Sequence, residues 1–351
     1  MAIYRIYPNK DTFISSETDT AYRYANAGLD EIVELGGFPD ANFVGRSKRI
    51  LTQYSDEDIA YAINNVVQGN PYTASIHYTL ADASEVPTGF STFSYPISSF
   101  WENGTGKIDN KPITQDGVNW KFKDGALTEW NQLGGDFISS SNYISSQSYQ
   151  IGDNLDIDIE VTNTVDAINS GSINNYGHLI KLEDKFENYT TSSISLKYFS
   201  KDTNTIYPPY LEFKWDDSIY SSSLDVLSTD TNRMHIRNLR PFYHDSDIAK
   251  IRIDARPRYP KRTFTTSSVN TGNYKLPEGS MYAIKDDFSE KMIVDFDESA
   301  TRISADNTSS FFNIYMKILQ PERYYNLLVK TTIDGNTVIH KSSTFKVVRN
   351  G

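Results

Sequence analysis

The sequence predicts an all-β protein of two sandwich domains, and three observations support this. Tyr, Thr, Ser and Asn are abundant, whereas helical periodicity is scarce. Several short segments alternate apolar and polar residues, as in Leu155 to Val161, where isoleucines on one face alternate with acids on the other. Three of the four tryptophans, Trp101, Trp120 and Trp130, lie between Gly, Asn and Asp turns, a spacing typical of short strands.

Two short helices are predicted in the first half. Ser55 precedes three acidic residues and an apolar pattern of near-helical spacing, which ends at Gly69. A weaker pattern predicts a second helix from Val161 to Asn169.

Alternation of apolar and polar residues predicts the later strands. They cover residues 193–199, 209–215, 248–255, 291–296, 312–318, 324–331 and 337–347. The turn Asp334-Gly335-Asn336 predicts a tight hairpin between the last two. The serine-rich stretch 139–148 is interpreted as a long ordered loop with an apolar underside.

A chain of 351 residues exceeds the usual single domain, so two domains are expected. The polar stretch around residues 217–228 separates two hydrophobic patterns and predicts the boundary. We therefore predict one domain over residues 1–222 and a second over residues 223–351.

The tryptophan motifs resemble the middle of DNRLRE-type jelly-roll modules, which are relatives of carbohydrate-binding modules. The three motifs are Trp101-Glu102-Asn103-Gly104-Thr105-Gly106, Asp116-Gly117-Val118-Asn119-Trp120 and Trp130-Asn131-Gln132-Leu133-Gly134-Gly135-Asp136. Weaker matches follow in the same order over roughly residues 7 to 216. The resemblance implies a jelly-roll sandwich for the first domain.

The three tryptophans have two interpretations. As core residues, Trp101, Trp120 and Trp130 would anchor the sandwich, which we prefer. As exposed rings, they would form a platform that stacks on sugars.

The second domain carries the spacing of a tyrosine corner. Leu319, Pro321 and Tyr325 reproduce the L-x-P-x-x-x-Y pattern seen in fibronectin type III domains, in which the Tyr hydroxyl satisfies a backbone group at a sandwich corner. The resemblance implies an immunoglobulin-like or fibronectin type III-like β sandwich.

The chain has one basic cluster, formed by Arg252, Arg256, Arg258, Lys261 and Arg262. It is either a solvated edge strand that resists aggregation or a docking face for an acidic partner surface. The acidic side of the segment containing Asp156, Asp158 and Glu160, on a neighbouring subunit, is one such surface.

No catalytic or cofactor motif is found. The five histidines are scattered, and there is no P-loop, dinucleotide fingerprint or nucleophile elbow. Pairs of acids occur, but they arise readily among 45 Asp and Glu residues. Loops such as Asp153-Asn154-Asp156 and Asp216-Asp217 contain the hard oxygen ligands that calcium prefers, but no EF-hand spacing is present. We therefore expect neither an enzyme nor a bound cofactor or metal.

Composition limits the partners. The net charge of −11 argues against binding to nucleic acid or to an anionic membrane, both of which need clustered cations. There is no cysteine, so disulfides and thiolate metal sites are excluded. We also expect no membrane span and no secretion signal.

The carboxyl half contains the stretches Pro257-Arg258-Tyr259-Pro260, Asn273-Tyr274-Lys275-Leu276-Pro277 and Leu319-Gln320-Pro321-Glu322-Arg323-Tyr324-Tyr325. With these stretches, the whole chain resembles virion structural proteins of contractile-tailed bacteriophages. The resemblance implies a non-enzymatic component of the neck, tail or baseplate, made in the host cytoplasm and located in the virion. Its partners would be other virion proteins and copies of itself in a symmetric ring. The alternative is a carbohydrate-binding adhesion module on a fibre or particle surface, with a glycan as its ligand.

Overall fold

Strands provide most of the regular structure in the computed structural model, which describes residues 2–17, 23–259 and 272–350. The chain is all-β, as predicted. It divides into two compact units. The first unit comprises Arg5–Gln68 and Thr73–Phe213, and the second comprises Met1–Tyr4, Gly69–Tyr72 and Lys214–Gly351.

The first twelve strands are β1 Ala2–Ile6, β2 Lys10–Ser15, β3 Ile32–Pro39, β4 Gly45–Gln53, β5 Tyr72–Tyr78, β6 Leu80–Ser84, β7 Gly89–Pro96, β8 Ser145–Gln150, β9 Ile157–Glu160, β10 His178–Leu182, β11 Ile194–Phe199 and β12 Tyr210–Trp215. The remaining strands are β13 Asn232–Arg237, β14 Phe242–His244, β15 Ile248–Pro257, β16 Met281–Asp286, β17 Met292–Val294, β18 Ser304–Ala305, β19 Ser310–Tyr315, β20 Arg323–Ile333 and β21 Asn336–Val348.

The helices are short. The hydroxyl of Ser55 accepts a hydrogen bond from the backbone N–H of Asp58 at 3.2 Å and begins α1, Asp56–Tyr61. A π-helical segment, Ala62–Val67, continues it, so the first predicted helix is confirmed. The second is also confirmed, as α2, Thr162–Asn169. Two further short segments are α3, Asp184–Glu187, and a 3-10 turn, Met316–Ile318.

The interpretation of residues 139–148 as a loop is wrong for its last four residues. Residues from Ser145 onward form β8, which pairs antiparallel with β7. The buried ring of Tyr149 stacks on Phe90 at 4.6 Å between centroids, and this contact holds the polar strand on the sheet.

Two sheets face each other in the first unit. One has the strand order β1-β12-β5-β9, although residues Ala2–Tyr4 of β1 are assigned to the second unit. The other runs β6-β11-β3-β4-β10-β7-β8, with β2 also paired to β4. Tyr78 on β5 meets Tyr198 on β11 edge to face at 6.3 Å, so side chains of the two sheets share one interior.

Two further sheets form the second unit, with strand orders β13-β15-β19-β18 and β14-β21-β20-β16-β17. Their inner faces meet in one core, where Tyr282 of β16 stacks on Phe312 of β19 at 4.2 Å. Ile3 belongs to this core, and the ring of Tyr4 contacts Tyr315 at 5.8 Å. The predicted boundary after residue 222 lies within this unit, in a segment bonded through Ser221 N–H to the Ala305 carbonyl.

The corner contact that the sequence predicts is present in the second unit. The Tyr325 hydroxyl donates a hydrogen bond to the carbonyl of Gln320 at 2.8 Å, and Tyr325 is 1% exposed. Leu319 is buried beside it, and Pro321 lies in the turn that leads into β20. The hairpin of β20 and β21 turns at Asp334 and Gly335, both with positive φ, as a type I′ turn requires.

Candidate functional site

The outer face of the four-stranded sheet in the second unit carries the basic residues. On β13, exposed side chains alternate with the half-buried Met234 and Ile236, which pack against the core. On β15, buried Ala249, Ile251 and Ile253 likewise alternate with outward-facing residues. We call the outward set of basic residues the basic face; it consists of Arg233, His235, Arg237, Lys250, Arg252 and Arg256.

Strand pairing brings this set together. In the antiparallel register of β13 and β15, Arg233 lies opposite Arg256, and Arg237 lies opposite Arg252. Directly opposite residues share one face of a sheet, so the four guanidinium groups lie on the same side. Asp254, opposite His235, is the acid among them.

Two of the arginines are neutralised by acids. Arg237 donates two hydrogen bonds to Asp254, at 2.8 and 2.5 Å. Arg252 binds both carboxylate oxygens of Asp306, at 3.0 and 2.8 Å. The hydrogen bonds from Arg252 hold the pKa of Asp306 well below its usual range, so this pair is charged at neutral pH.

The other cations of the basic face keep their charge uncompensated. Arg233 and Arg256 are exposed and form no ion pair with any residue that the structure describes. Lys250 lies over the ring of Phe311, with its Nζ 3.7 Å from the centroid, and has no acidic partner among those residues. The basic face is therefore a positive patch on a chain with net charge −11.

A cavity of about 400 Å³ opens beside the paired strands, lined by residues of β13 and β15 together with Gly272 and Asn273. Asn273 is fixed by hydrogen bonds from its Nδ2 to Asp254 at 2.9 Å and to the Thr308 carbonyl at 3.0 Å. Guanidinium groups around such a cavity suit carboxylates, which accept two parallel N–H bonds from one arginine.

Not all of the predicted basic cluster belongs to the basic face. Arg252 and Arg256 do, whereas Arg258 is exposed just beyond the end of β15, with its guanidinium 5.7 Å from the ring centroid of Tyr259. Lys261 and Arg262 lie outside the described residues. Sequence reasoning missed the cations of β13, although the alternation Arg233-Met234-His235-Ile236-Arg237 was a readable signal for a half-buried strand.

The sugar platform assigned to Trp101, Trp120 and Trp130 is corrected, because the three rings are 1%, 8% and 4% exposed. They pack with Ile14, Leu51 and Leu179 in one hydrophobic cluster. Stacking on a sugar needs an open ring face, which these side chains do not offer. They are core anchors of the first unit.

Hydrogen bonds fix two of these rings. Trp101 Nε1 donates to the Tyr176 carbonyl at 2.8 Å, and Trp130 Nε1 donates to the Asn119 carbonyl at 3.0 Å. The guanidinium of Arg49 lies 5.0 Å from the Trp120 ring. The indole N–H groups of Trp101 and Trp130 therefore both have partners within the first unit.

Within residues 2–17, 23–259 and 272–350, no group of three or more His, Asp or Glu side chains is placed to hold a metal ion. Over the same ranges, no helix combines the length and the apolar character needed to cross a bilayer.

No protein-family model matches the chain, and no curated protein matches it. Similar solved structures include the adhesin domain of Epf from Streptococcus pyogenes, at 9% identity over 99% of both chains with a TM-score of 0.18. β-Glucuronidase 3 from Bacteroides uniformis matches at 10% identity over 99% of this chain and 35% of the enzyme, with a TM-score of 0.19. A DUF4785 family protein from Legionella pneumophila matches at 10% identity over 99% and 66%, with a TM-score of 0.18. At these TM-scores the likenesses establish neither a shared fold nor a shared function.

Proposed function

We propose that the protein is a non-enzymatic structural component of a contractile-tailed bacteriophage virion, in the neck, tail or baseplate. Its first unit would be a jelly roll of the DNRLRE type and its second an immunoglobulin-like sandwich. It acts by protein contacts in a symmetric assembly, in which the basic face binds an acidic surface of a neighbouring subunit.

One observation carries this proposal: uncompensated arginines are concentrated on one sheet face of an acidic chain. Like charges directly opposite each other in a sheet are unfavourable, so Arg233 and Arg256 are costly for the isolated protein. An acidic partner would remove this repulsion and gain paired hydrogen bonds. The arrangement therefore fits a contact surface better than a surface that only confers solubility.

Acidic surfaces of the required kind occur on the same chain. Asp158 and Glu160 on β9 point outward, and the Asp158 side chain is 54% exposed. Asp156, next to them, accepts a hydrogen bond from the N–H of Leu80 and so has a fixed orientation. A second copy could present these acids to the basic face in a head-to-tail ring.

The proposal includes no chemical step. The histidine of the basic face, His235, has no ion pair with a described residue. The alternative of a carbohydrate-binding adhesion module has lost the aromatic contacts that motivated it, since all three tryptophans are buried.

Charge reversal tests the proposed contact. The double variant Arg233→Glu with Arg256→Glu should fold normally but fail to enter particles, as measured by sedimentation and electron microscopy of virions from a phage that carries the change. Arg240→Glu, an equally exposed arginine outside β13 and β15, is the matched control and should assemble. Normal assembly of the double variant would refute the proposed role of the basic face.

A further inference from the structure

β13 has one open edge. It is the terminal strand of its sheet and pairs only with β15. The carbonyl of Thr231 accepts from the N–H of Arg258, which shows that odd-numbered residues bond toward β15. By the alternation of an antiparallel ladder, the N–H and C=O groups of Met234 and Ile236 point away from β15, where no described residue pairs with them.

Three other strands at sheet margins are protected or very short. On β9, the N–H of Asp158 donates to the Gln147 side chain at 2.7 Å, and the Asp156 carbonyl accepts from Gln147 Nε2 at 3.1 Å. β17 and β18 are only three and two residues long. β13, with six residues and backbone groups that no described residue pairs with, is a better template for an added strand than these three.

We propose that the edge of β13 accepts an extended segment of a neighbouring protein as an additional β-strand, and that this segment alternates acidic and apolar residues. The inference rests on the proposed function, because it names the kind of partner that the basic face binds. Main-chain hydrogen bonds from Met234 and Ile236 supply part of the affinity, as in other cases of strand addition.

The alternation follows from the two faces of β13. Every second residue of an added strand lies on the same side as Arg233, His235 and Arg237, and acids there would form cross-strand ion pairs. The residues between them lie on the side of Met234 and Ile236, which are half-buried against the core. Apolar side chains at those positions would extend the core of the second unit.

The chain itself contains such an alternation at residues 156–160, but that segment already pairs with another strand of the first unit. Ile157 and Ile159 are 0% exposed, and β9 is bonded to β5. A second copy would have to unfold part of its first unit to supply this strand. Residues 156–160 of a second copy can therefore meet the basic face as a folded surface but cannot supply the added strand, and the occupant of the β13 edge is an acidic extended segment of a different virion protein.

A synthetic peptide with this alternation, acetyl-Leu-Asp-Ile-Asp-Ile-Glu-Val-amide, is the probe. Binding to the full-length protein is measured by isothermal titration calorimetry at low and high salt. Two further peptides carry N-methyl groups on alternate backbone amides, one on the even set and the other on the odd set. Only one set faces β13, so one methylated peptide should bind about tenfold or more weakly and the other should bind like the parent.

A protein variant gives a second measurement. Met234→Pro removes an N–H that faces the open edge and is not used in the ladder with β15, and proline is tolerated at such positions. This variant should lose peptide binding, whereas Arg240→Glu should retain it. If Met234→Pro does not fold, the comparison of the two methylated peptides is sufficient to test strand addition at β13.

The outcomes separate the two proposals. If both methylated peptides bind equally, or if no peptide binds at any salt concentration, strand addition at β13 is refuted. Failure of the Arg233→Glu and Arg256→Glu double variant to assemble would still support the basic face as a contact surface. Unequal binding of the two methylated peptides supports strand addition.

Discussion

Arg233 and Arg256 lie directly opposite each other in the pairing of β13 with β15, and neither has an acidic partner among the described residues. The acids nearby are already bound to the other two arginines of the face, because Arg237 binds Asp254 and Arg252 binds Asp306. Repulsion between the two free guanidinium groups therefore weakens this edge of the sheet in the isolated protein.

Relieving that repulsion should stabilise the protein. Arg256→Thr removes one like charge and places a good strand former, so the free energy of unfolding should rise by about 0.5 kcal/mol in urea titrations. Arg252→Thr is the matched control and should lower it, since Arg252 binds Asp306 at two atoms. Equal destabilisation by both changes would show that Arg256 has a partner that stabilises the fold.

The corner tyrosine gives a second prediction. Tyr325→Phe deletes the hydroxyl that donates to the Gln320 carbonyl, and the unfolding free energy should fall by about 1–3 kcal/mol. Tyr324→Phe, at a neighbouring position that is 55% exposed, should change it little. Thermal and urea unfolding of both variants measure the difference, and a neutral Tyr325→Phe would contradict the corner role.

The tryptophan cluster gives a third. Trp101→Ala removes a fully buried ring and leaves the Tyr176 carbonyl without its donor, so the loss should be about 3–5 kcal/mol. Phe100→Ala, next to it and 52% exposed, should have a much smaller effect. If Trp101→Ala kept its stability but lost binding to a glycan, the interpretation of Trp101 as part of a sugar-binding platform would be supported instead.

A fourth prediction concerns pH and the buried Asp11. This carboxyl is 1% exposed; its Oδ2 accepts from the N–H of Lys201 at 2.8 Å, and its Oδ1 has no described partner. Burial raises its pKa from 3.8 to about 7, despite the opposing hydrogen bond and charge of Lys201. The folded state thus binds the proton more tightly, and stability falls as the pH rises from about 4 to about 7.

Asp11→Asn removes this dependence. At pH 8 the variant should be more stable than the wild type, by on the order of 3 kcal/mol, and at pH 3 the difference should be small. His178, whose pKa burial lowers to about 4, acts in the opposite direction in both proteins and cancels in the comparison. Asp82→Asn, at an exposed position, should follow the wild-type curve in urea titrations across pH.

Local chemistry made much of the fold predictable. The helix after Ser55 begins at a hydrogen-bonded cap, and the Asp334-Gly335 hairpin depends on residues that adopt positive φ. β8 was missed because its stretch is mostly serine and glutamine, and its contact with β7 through Tyr149 and Phe90 is distant in sequence.

Two of the six residues of the basic face were predictable in the same sense. Arg252 and Arg256 stand in one strand with clear alternation, so their shared direction follows from the sequence. That Arg233 and Arg237 lie beside them depends on which strands pair, and strand order follows no local rule. In the first unit, for example, β10 pairs with both β4 and β7.

The second unit is assembled from separated parts of the chain, since its core includes Ile3 and its residues include Gly69–Tyr72. Residues near Ile3 leave the ribosome long before β13 to β21 are made, so this unit cannot close its core until synthesis of the chain is nearly complete. A fragment beginning at Lys214 would likewise lack one of its own core side chains. A substitution of Ile3 should therefore affect the stability of the carboxyl-terminal sandwich.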